Sequence, residues 1–261
     1  MTDTHSHIIW DVDDGSENLE TSLRMLKQAE ESGTTQIFAT PHILDVSTVP
    51  SWNTILEKTA ILQAKAKEIG LAIKIYPAAE IYMNWDLLPF ISKDNAYCIN
   101  GGNYALVELP QTHIPQYADN FFFELQVKGL TPILAHAERY PALSERLETL
   151  LQWREKGMLL QLNIGSLLGV FGQQAQEMAE CYLKHNIVDI VGSDAHGTIH
   201  RTTDIKNALD AMKNITTQEQ YTKITETNPA KILAGEEIEL YCPEKITKEL
   251  PKKSFWKRIF R

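Results

Sequence analysis

Hydrophobic positions along the chain form two alternating patterns. Short apolar runs of six to nine residues, typical of strands, alternate with longer segments in which apolar side chains recur every three or four positions. Leu19, Leu23 and Leu26 have this helical spacing in the first long segment. The pattern predicts strands at 3–9, 35–40, 72–80, 104–109, 131–136, 158–163 and 187–193. It predicts helices at 18–32, 51–69, 117–128, 142–156, 173–185, 203–213 and 217–226.

Seven strand–helix alternations predict an α/β domain in which a parallel sheet closes into a barrel. The alternative is an open, doubly wound sheet, but no glycine-rich nucleotide-binding motif follows the first strand. Ser16 or Asn18 is expected to cap the first helix. Four predicted helices are followed by glycines that are typical helix stops: Gly33, Gly70, Gly129 and Gly157.

Composition and charge exclude several classes of protein. The 261 residues are 43% hydrophobic, enough for one sizeable core, and the net charge of −9 makes nucleic acid a poor partner. Cys98, Cys181 and Cys242 form no C-x-x-C pair, which predicts reduced thiols and a cytoplasmic protein. Neither a signal peptide nor a membrane span is expected, because no apolar run approaches roughly 18 residues.

Side chains that bind metals follow six of the seven predicted strands. Because the carboxyl ends of barrel strands open at one mouth, these groups are expected to meet there. Imidazole and carboxylate ligands suit Zn, Mn or Fe, and the number of groups exceeds the needs of one ion, which predicts two or three. The groups are His5, His7, His42, Glu80, Glu108, His136, Asp194 and His196, with Asp11, Asp13 and Asp14 just beyond the first strand.

Each of these residues has a plainer interpretation when taken alone. A single histidine in a strand is usually a polar residue whose hydrogen bonds are satisfied. For His5 and His7 taken alone, a structural role and a functional role are equally well supported. The convergence favours function, because five of the eight histidines fall at one end of the predicted barrel. Among the others, His185 is expected on the surface near a helix end. His113 lines the cleft or has no role, and His200 either supports the site or is a simple loop residue.

Seven short motifs carry a resemblance to a known superfamily. In chain order they are HSH, DDG, TPH, AAEIY, ALVELP, AHAERY and SDAH. Together they resemble the PHP (polymerase and histidinol phosphatase) superfamily, and within it the bacterial tyrosine-protein phosphatases of capsule and exopolysaccharide gene clusters. The resemblance runs from residue 2 to about residue 235. It implies a distorted (βα)7 TIM-like barrel with a trinuclear metal site.

The resemblance also implies roles for individual residues. One ion is expected on His5, His7 and Asp194, a second on Glu80, Glu108 and His136 with Glu80 bridging to the first, and a third on Asp14, His42 and His196. Spacing alone does not choose between Asp13 and Asp14. Arg139 and Arg201 match positions that grip phosphate, although Arg139 in the plainer interpretation pairs with a nearby carboxylate.

The function implied is hydrolysis of phosphotyrosine by a metal-bound hydroxide, with His42, His196 or a metal-bound water as proton donor. The expected substrate is a membrane-associated bacterial tyrosine kinase that controls polysaccharide export. Three alternatives remain: a small-molecule phosphatase of the histidinol-phosphate type, an exonuclease, and a non-catalytic regulator that binds phosphotyrosine or the kinase. A cysteine phosphatase is excluded, because no cysteine has a phosphate-loop arginine at the required spacing.

The chain beyond the predicted barrel is basic. We divide it into a barrel at 1–240 and a tail at 241–261, whose last ten residues read KKSFWKRIFR. In a helix, one face would carry Phe255, Trp256, Ile259 and Phe260, which suits an anionic membrane surface or a partner. A solvated tail explains the segment equally well. The expected location is cytoplasmic, with contact at the inner face of the membrane in the first case. The sequence sets neither the oligomeric state nor the metal.

Overall fold

The computed structural model describes residues 1–91 and 96–246. Its strands are β1 Thr2–Ser6, β2 Gln36–Ala39, β3 His42–Ile43, β4 Lys74–Pro77, β5 Glu80–Tyr82, β6 Tyr104–Glu108, β7 Thr131–Leu134, β8 Leu159–Asn163 and β9 Ile190–Gly192. Its helices are α1 Leu19–Glu31, α2 Trp52–Glu68, α3 Ala118–Val127, α4 Pro141–Ser144, α5 Leu147–Glu155, α6 Gln173–Lys184, α7 Lys206–Lys213, α8 Gln218–Thr222 and α9 Asn228–Ala234.

Parallel pairing joins these strands into a closed barrel. One sheet has the order β1-β2-β4 and the other β3-β5-β6-β7-β8-β9, all parallel. The barrel closes where β1 meets the end of β9, since the His7 amide donates to Ala195 O at 2.9 Å and the Asp194 amide donates to His5 O at 2.8 Å. The predicted TIM-like barrel is therefore confirmed, and the open doubly wound alternative is wrong.

All seven predicted strands are present. Two of them are each followed directly by a second short strand: β2 by β3, and β4 by β5. The predicted run 72–80 divides into β4, which pairs with β2, and β5, which pairs with β3 and β6. The break in the neighbouring strand falls at Pro41, which has no amide hydrogen to donate to a ladder. The two chain segments still hydrogen-bond at this break, because the Glu80 amide donates to Pro41 O at 3.0 Å. This bend directs His42 and Glu80 into the mouth.

The predicted helices differ from the observed ones mainly at two breaks. The segment predicted at 142–156 is split into α4 and α5, because Arg146 leaves the helical conformation with φ −130° and ψ 59°. The helix predicted at 217–226 continues through a π turn at Lys223–Thr227 into α9. Pro229 has no amide hydrogen, so a regular helix would lose a hydrogen bond there.

Helix ends follow the sequence closely. Asn18 caps α1 by accepting from the Thr21 amide at 2.9 Å, whereas Ser16 instead bonds the Ser22 hydroxyl. The four predicted stop glycines all have positive φ, between 77° and 96°. Together these signals fix where each helix returns the chain to the barrel.

A buried ion pair ties α5 to the strand that leads to the site. Arg154 is 1% exposed and donates to both carboxylate oxygens of Asp189, at 2.6 and 3.3 Å. It also donates to Tyr241 O at 3.0 Å, so the first residue of the predicted tail packs on the barrel. Residues 247–261, and with them the aromatic segment 252–261, lie outside the described residues. Within the described ranges, no helix is long and apolar enough to cross a bilayer.

Replacing Asp189 by alanine should leave the Arg154 guanidinium buried without its charge partner. We expect D189A to lower the free energy of unfolding by about 3–5 kcal/mol, measured by urea denaturation. The double variant Arg154→Met with Asp189→Leu should lose much less, because neither charge remains. A D189A variant as stable as the parent protein would show that the pair does not hold α5 against β9.

Candidate metal centre

The nine predicted ligands converge at the mouth of the barrel, and Glu80 lies at their centre. The Glu80 carboxylate is fully buried, and its oxygens lie 2.8–3.3 Å from ring nitrogens of four histidines. These histidines are His5, His7, His42 and His136. Strand register explains part of this arrangement, because His42 of β3 and Glu80 of β5 are direct neighbours in a parallel pair.

Three further carboxylates surround this centre. Asp194 Oδ1 lies 3.4 Å from His7 Nε2 and 3.6 Å from His5 Nε2. Glu108 reaches both His42 and His136 at 3.6 Å. Asp14 Oδ1 lies 3.4 Å from His196 Nε2 and 3.7 Å from His42 Nε2.

Ligand atoms within 4.8 Å of one another form three overlapping groups. They are His7, Asp14, His42 and His196; His5, His7 and Glu80; and His42, Glu80 and Glu108. His7 belongs to two groups, whereas the resemblance places it only with His5 and Asp194. The reason is its ring position, 3.9 Å from the ring of His196 and 4.5 Å from that of His42.

His5 in β1 and His7 just beyond it face each other through their Nε2 atoms. His7 Nδ1 lies 2.7 Å from Asp13, an ionised carboxylate that only accepts, so this nitrogen carries the proton. His5 Nδ1 donates to Gln161 Oε1 at 3.2 Å. In the neutral rings both lone pairs are therefore on Nε2, and the two Nε2 atoms are 3.1 Å apart. Two such lone pairs, 3.1 Å apart, repel each other unless a proton or a metal ion lies between or beside them.

Several buried ligand atoms have no hydrogen-bond partner. Among the described residues these include Glu80 Oε2, His42 Nδ1 and His196 Nε2. Buried polar atoms are normally paired, so unsatisfied atoms concentrated at one point need an explanation. Imidazole nitrogen and carboxylate oxygen are the donors that Zn, Mn and Fe accept. The residues present therefore fit divalent metal ions.

The electrostatic field at the mouth favours positive charge. Burial by itself lowers the pKa of His7, but the nearby charge of Asp13 and hydrogen bonds to carboxylates raise it well above its ordinary value. Burial by itself raises the pKa of Glu80, but His5 and the other imidazoles hold it well below the usual range. His196 differs, because burial and the charge of His7 lower its pKa to about 3. A bound divalent cation is stabilised by the same carboxylates.

The structure separates the roles of Asp13 and Asp14. Asp13 accepts from the His42 amide at 2.9 Å and from the Gly15 amide at 3.0 Å, in addition to His7. Burial would raise the pKa of Asp13, but His7 and these amides lower it to about 2. Asp14 instead turns its carboxylate toward His42 and His196. Asp13 thus orients His7, and Asp14 is placed to bind a metal.

The backbone is strained where two of these residues leave their strands. His136 and Asp194 have φ of 32° and 52°, each two residues beyond the end of a strand. Such conformations cost about 1–3 kcal/mol for residues other than glycine. Strain of this kind at His136 and Asp194 is typical of functional positions.

Glycines behind β1 permit close packing around the two histidines. A Cβ atom at Gly15 would clash with His7, and one at Gly192 would clash with His5. The motifs DDG and VGSDAH therefore supply space for the ligands as well as ligands themselves.

Sequence reasoning missed two amides on β8, the strand that carries no metal-type residue. Gln161 Oε1 accepts from the His136 amide at 2.7 Å and from His5, while its Nε2 donates to Asn163 Oδ1 at 3.0 Å. Asn163 Nδ2 donates to Asp194 Oδ2 at 2.6 Å. Two polar residues at a spacing of two in the buried strand LLQLN are the signal that would have found them.

Both predicted phosphate-binding arginines lie at the mouth and contact the same carboxylate. Arg139 Nη1 donates to Asp194 Oδ2 at 2.7 Å, and Arg201 Nη2 lies 2.5 Å from Asp194 Oδ1. The ion pair expected in the plainer interpretation of Arg139 is thus present. It leaves other N–H donors of each guanidinium available, and both side chains reach solvent. The ring of Phe171, which we did not predict, lies 4.4 Å from the Arg139 guanidinium and 5.7 Å from that of Arg201.

The three remaining histidines lie away from the ligand cluster. His185 lies at the C-terminal end of α6, as predicted, but it is half-buried, with Nδ1 2.8 Å from Cys181 O. His113 is exposed in its loop, beside the Thr112 hydroxyl. His200 is exposed on the loop that follows β9, next to Arg201.

Comparisons with known proteins agree on one family. The family model described as "Capsular polysaccharide synthesis, CpsB/CapC" matches residues 1–234. The putative tyrosine-protein phosphatase CapC of Staphylococcus aureus is 32% identical over 217 residues, which are 82% of this chain and 84% of CapC. A solved structure described as YwqE from Bacillus subtilis and CpsB from Streptococcus pneumoniae, unique metal-dependent tyrosine phosphatases, superposes with a TM-score of 0.87. It is 28% identical and covers 95% of this chain and 100% of its own. The phosphotriesterase of Mycobacterium tuberculosis, 12% identical with a TM-score of 0.59 over 91% of this chain and 95% of its own, shares the fold alone.

Gln161→Leu should weaken metal binding, because His5 and His136 would lose the acceptor that orients them. We expect the affinity for Mn²⁺ or Zn²⁺ to fall about 10–100-fold, measured by equilibrium dialysis on folded protein. Gln220→Leu is the matched control, since Gln220 bonds Leu183 O far from the mouth. Equal affinity in the two variants would contradict an orienting role for Gln161.

Proposed function

This chain belongs to the CpsB/CapC family of capsular polysaccharide synthesis proteins, and we propose that it is a metal-dependent phosphatase that hydrolyses phosphotyrosine. The observation that carries the proposal is the pair of facing Nε2 atoms of His5 and His7, beside Glu80 and below two arginines. Such a site attracts divalent cations on one side and a phosphate dianion on the other. The names of CapC and of the YwqE and CpsB structure support the same reaction.

We propose that two or three divalent ions occupy the cluster. His5, His7 and Asp194 would hold one, Glu108 and His136 would hold a second, and Glu80 would contribute to both. Asp14, His42 and His196 would hold a third, with Asp14 preferred because both oxygens of Asp13 are already bonded. Mn, Fe and Zn all suit these nitrogen and oxygen donors.

The chain's own residues bind and orient the substrate. Arg139 and Arg201 donate paired N–H groups to phosphate oxygens, and Asp194 and Phe171 keep the two like-charged guanidinium groups together. When bound, the divalent ions neutralise charge on the ester and lower the pKa of water. As a water oxygen forms the new bond to phosphorus, the tyrosyl ester bond breaks and tyrosinate leaves; its conjugate acid has a pKa of about 10, so full protonation is not needed. The proposed proton donor is His42 or His196 if it is not committed to a metal, or else a water molecule; the two side chains are 18% and 10% exposed, and the pKa of about 3 makes His196 the weaker candidate.

The proposed substrate is a phosphotyrosine protein, and the proposed partner is a membrane-associated bacterial tyrosine kinase that regulates capsule or exopolysaccharide synthesis. A cytoplasmic location suits that role. The division into a barrel at 1–240 and a basic tail at 241–261 remains part of the proposal, as does a membrane or kinase contact through 252–261.

Phosphate release should depend on both metal and substrate. Protein stripped with chelator should be inactive and should regain activity when refilled with Mn²⁺, Zn²⁺ or Fe²⁺. A phosphotyrosine peptide should be hydrolysed in preference to a phosphoserine peptide and to histidinol phosphate. Preferential hydrolysis of histidinol phosphate would move the protein to small-molecule metabolism. Tight metal binding without any hydrolysis would indicate a non-catalytic regulator.

His136→Ala should abolish activity and reduce the bound metal while the fold persists. Loss of an orienting neighbour costs about 10–100-fold, so loss of a ligand should cost more than about 100-fold in kcat/KM. Activity, metal content by mass spectrometry and circular dichroism test the three parts separately. The matched control is His113→Ala, because His113 is exposed and lies outside the cluster. Full activity in His136→Ala would refute the proposed site.

A further inference from the structure

A cleft of about 410 Å³ borders the metal centre on the side of the arginines. It lies between the loop that joins β8 to α6 and the loop that joins β9 to α7. Arg201 and Phe171 belong to its wall, but none of the nine proposed metal ligands does. The cleft therefore adjoins the reaction site without being part of the metal site, at the carboxyl face where barrel enzymes bind substrates.

The lining of this cleft mixes apolar and polar side chains, and several of its apolar residues are exposed. Phe171 and the buried Ile205 lie inside. Leu168, Val170 and Ile199 stand at the rim with 50%, 55% and 81% of their surfaces exposed. Single exposed apolar residues are ordinary, but three from two loops around one cleft are typical of a binding surface.

A second opening of the mouth lies beside the metal ligands. It is lined by Asp13, Asp14, His42 and Glu108, which belong to the proposed metal site or orient it, and also by Val12, Leu44, Thr48 and Tyr82. Both cations that face the phosphate, Arg139 and Arg201, lie on the side of the first cleft. For a phosphate held by these arginines, the cleft beside Arg201 is therefore the neighbouring surface on that side.

We propose that this cleft binds an apolar side chain of the substrate next to the phosphotyrosine, so that it selects among phosphotyrosine proteins. The inference rests on the function proposed above. An extended chain advances about 3.3–3.6 Å per residue, so the side chain belongs about one to three residues from the phosphotyrosine. Leu168, Val170 and Ile199 would contact it, and Phe171 would join this contact to the phosphate-binding arginines.

The test compares two phosphotyrosine peptides that differ only in leucine or aspartate at the neighbouring positions, with p-nitrophenyl phosphate as a substrate without neighbours. Metal-loaded wild type should favour the leucine peptide about tenfold in kcat/KM, since one apolar side chain is buried. Val170→Asp and Ile199→Asp should each lower the ratio of leucine-peptide to p-nitrophenyl phosphate kcat/KM by about tenfold. Val127→Asp, at an exposed valine on α3, should leave that ratio unchanged.

Equal use of the two peptides by wild type, or an unchanged ratio in both rim variants, would overturn the cleft assignment while leaving the phosphatase intact. If wild type hydrolyses none of the substrates, the proposed function fails. The role of the cleft is then tested by measuring peptide binding instead of hydrolysis. Fluorescence anisotropy with labelled peptides that carry non-hydrolysable phosphonomethyl-phenylalanine measures this binding. Weaker binding of the leucine peptide to the rim variants alone supports the cleft. Absent binding, or equal binding by all variants, overturns it.

Discussion

The contact of one buried carboxylate with four imidazoles is the constraint on which the rest of this site depends. Glu80 lies within 3.3 Å of ring nitrogens from β1, β3 and the end of β7. Gathering these groups is costly, because buried polar atoms remain unpaired and the backbone is strained at His136 and Asp194. Cation binding offsets that cost in the folded state only, so metal binding and the stability of this end of the barrel are coupled.

The same constraint explains how the surrounding residues are arranged. Asp13, Gln161 and the Asp194 carbonyl each accept a hydrogen bond from Nδ1 of one imidazole, which turns Nε2 of that ring toward the centre. Asp194 connects this centre to Arg139 and Arg201, so the proposed metal ligands and the proposed phosphate-binding arginines share one carboxylate. A displacement of Asp194 would therefore disturb both halves of the site.

Much of this arrangement could be predicted from the sequence, because strand period and strand order fix it. His5 and His7 point to one side since they are two apart, and Glu108 and His136 meet since parallel strands end together. The choice between Asp13 and Asp14 could not be predicted, because it depends on the turn at Gly15. Gln161, Asn163 and Phe171 were missed for a related reason: amides and aromatic rings gain a role only from neighbours on other strands and loops. The bends at Pro41 and after Pro77 likewise depend on how two ladders meet.

Anomalous X-ray diffraction from crystals of the manganese-loaded protein tests the central claim most directly, since it places each ion without reference to activity. The account predicts at least two anomalous peaks at the barrel mouth. One should be bounded by His5, His7 and Asp194, and another by Glu108 and His136, with the Glu80 carboxylate between them. Peaks elsewhere, or no peak at the mouth of a fully loaded protein, would contradict the account.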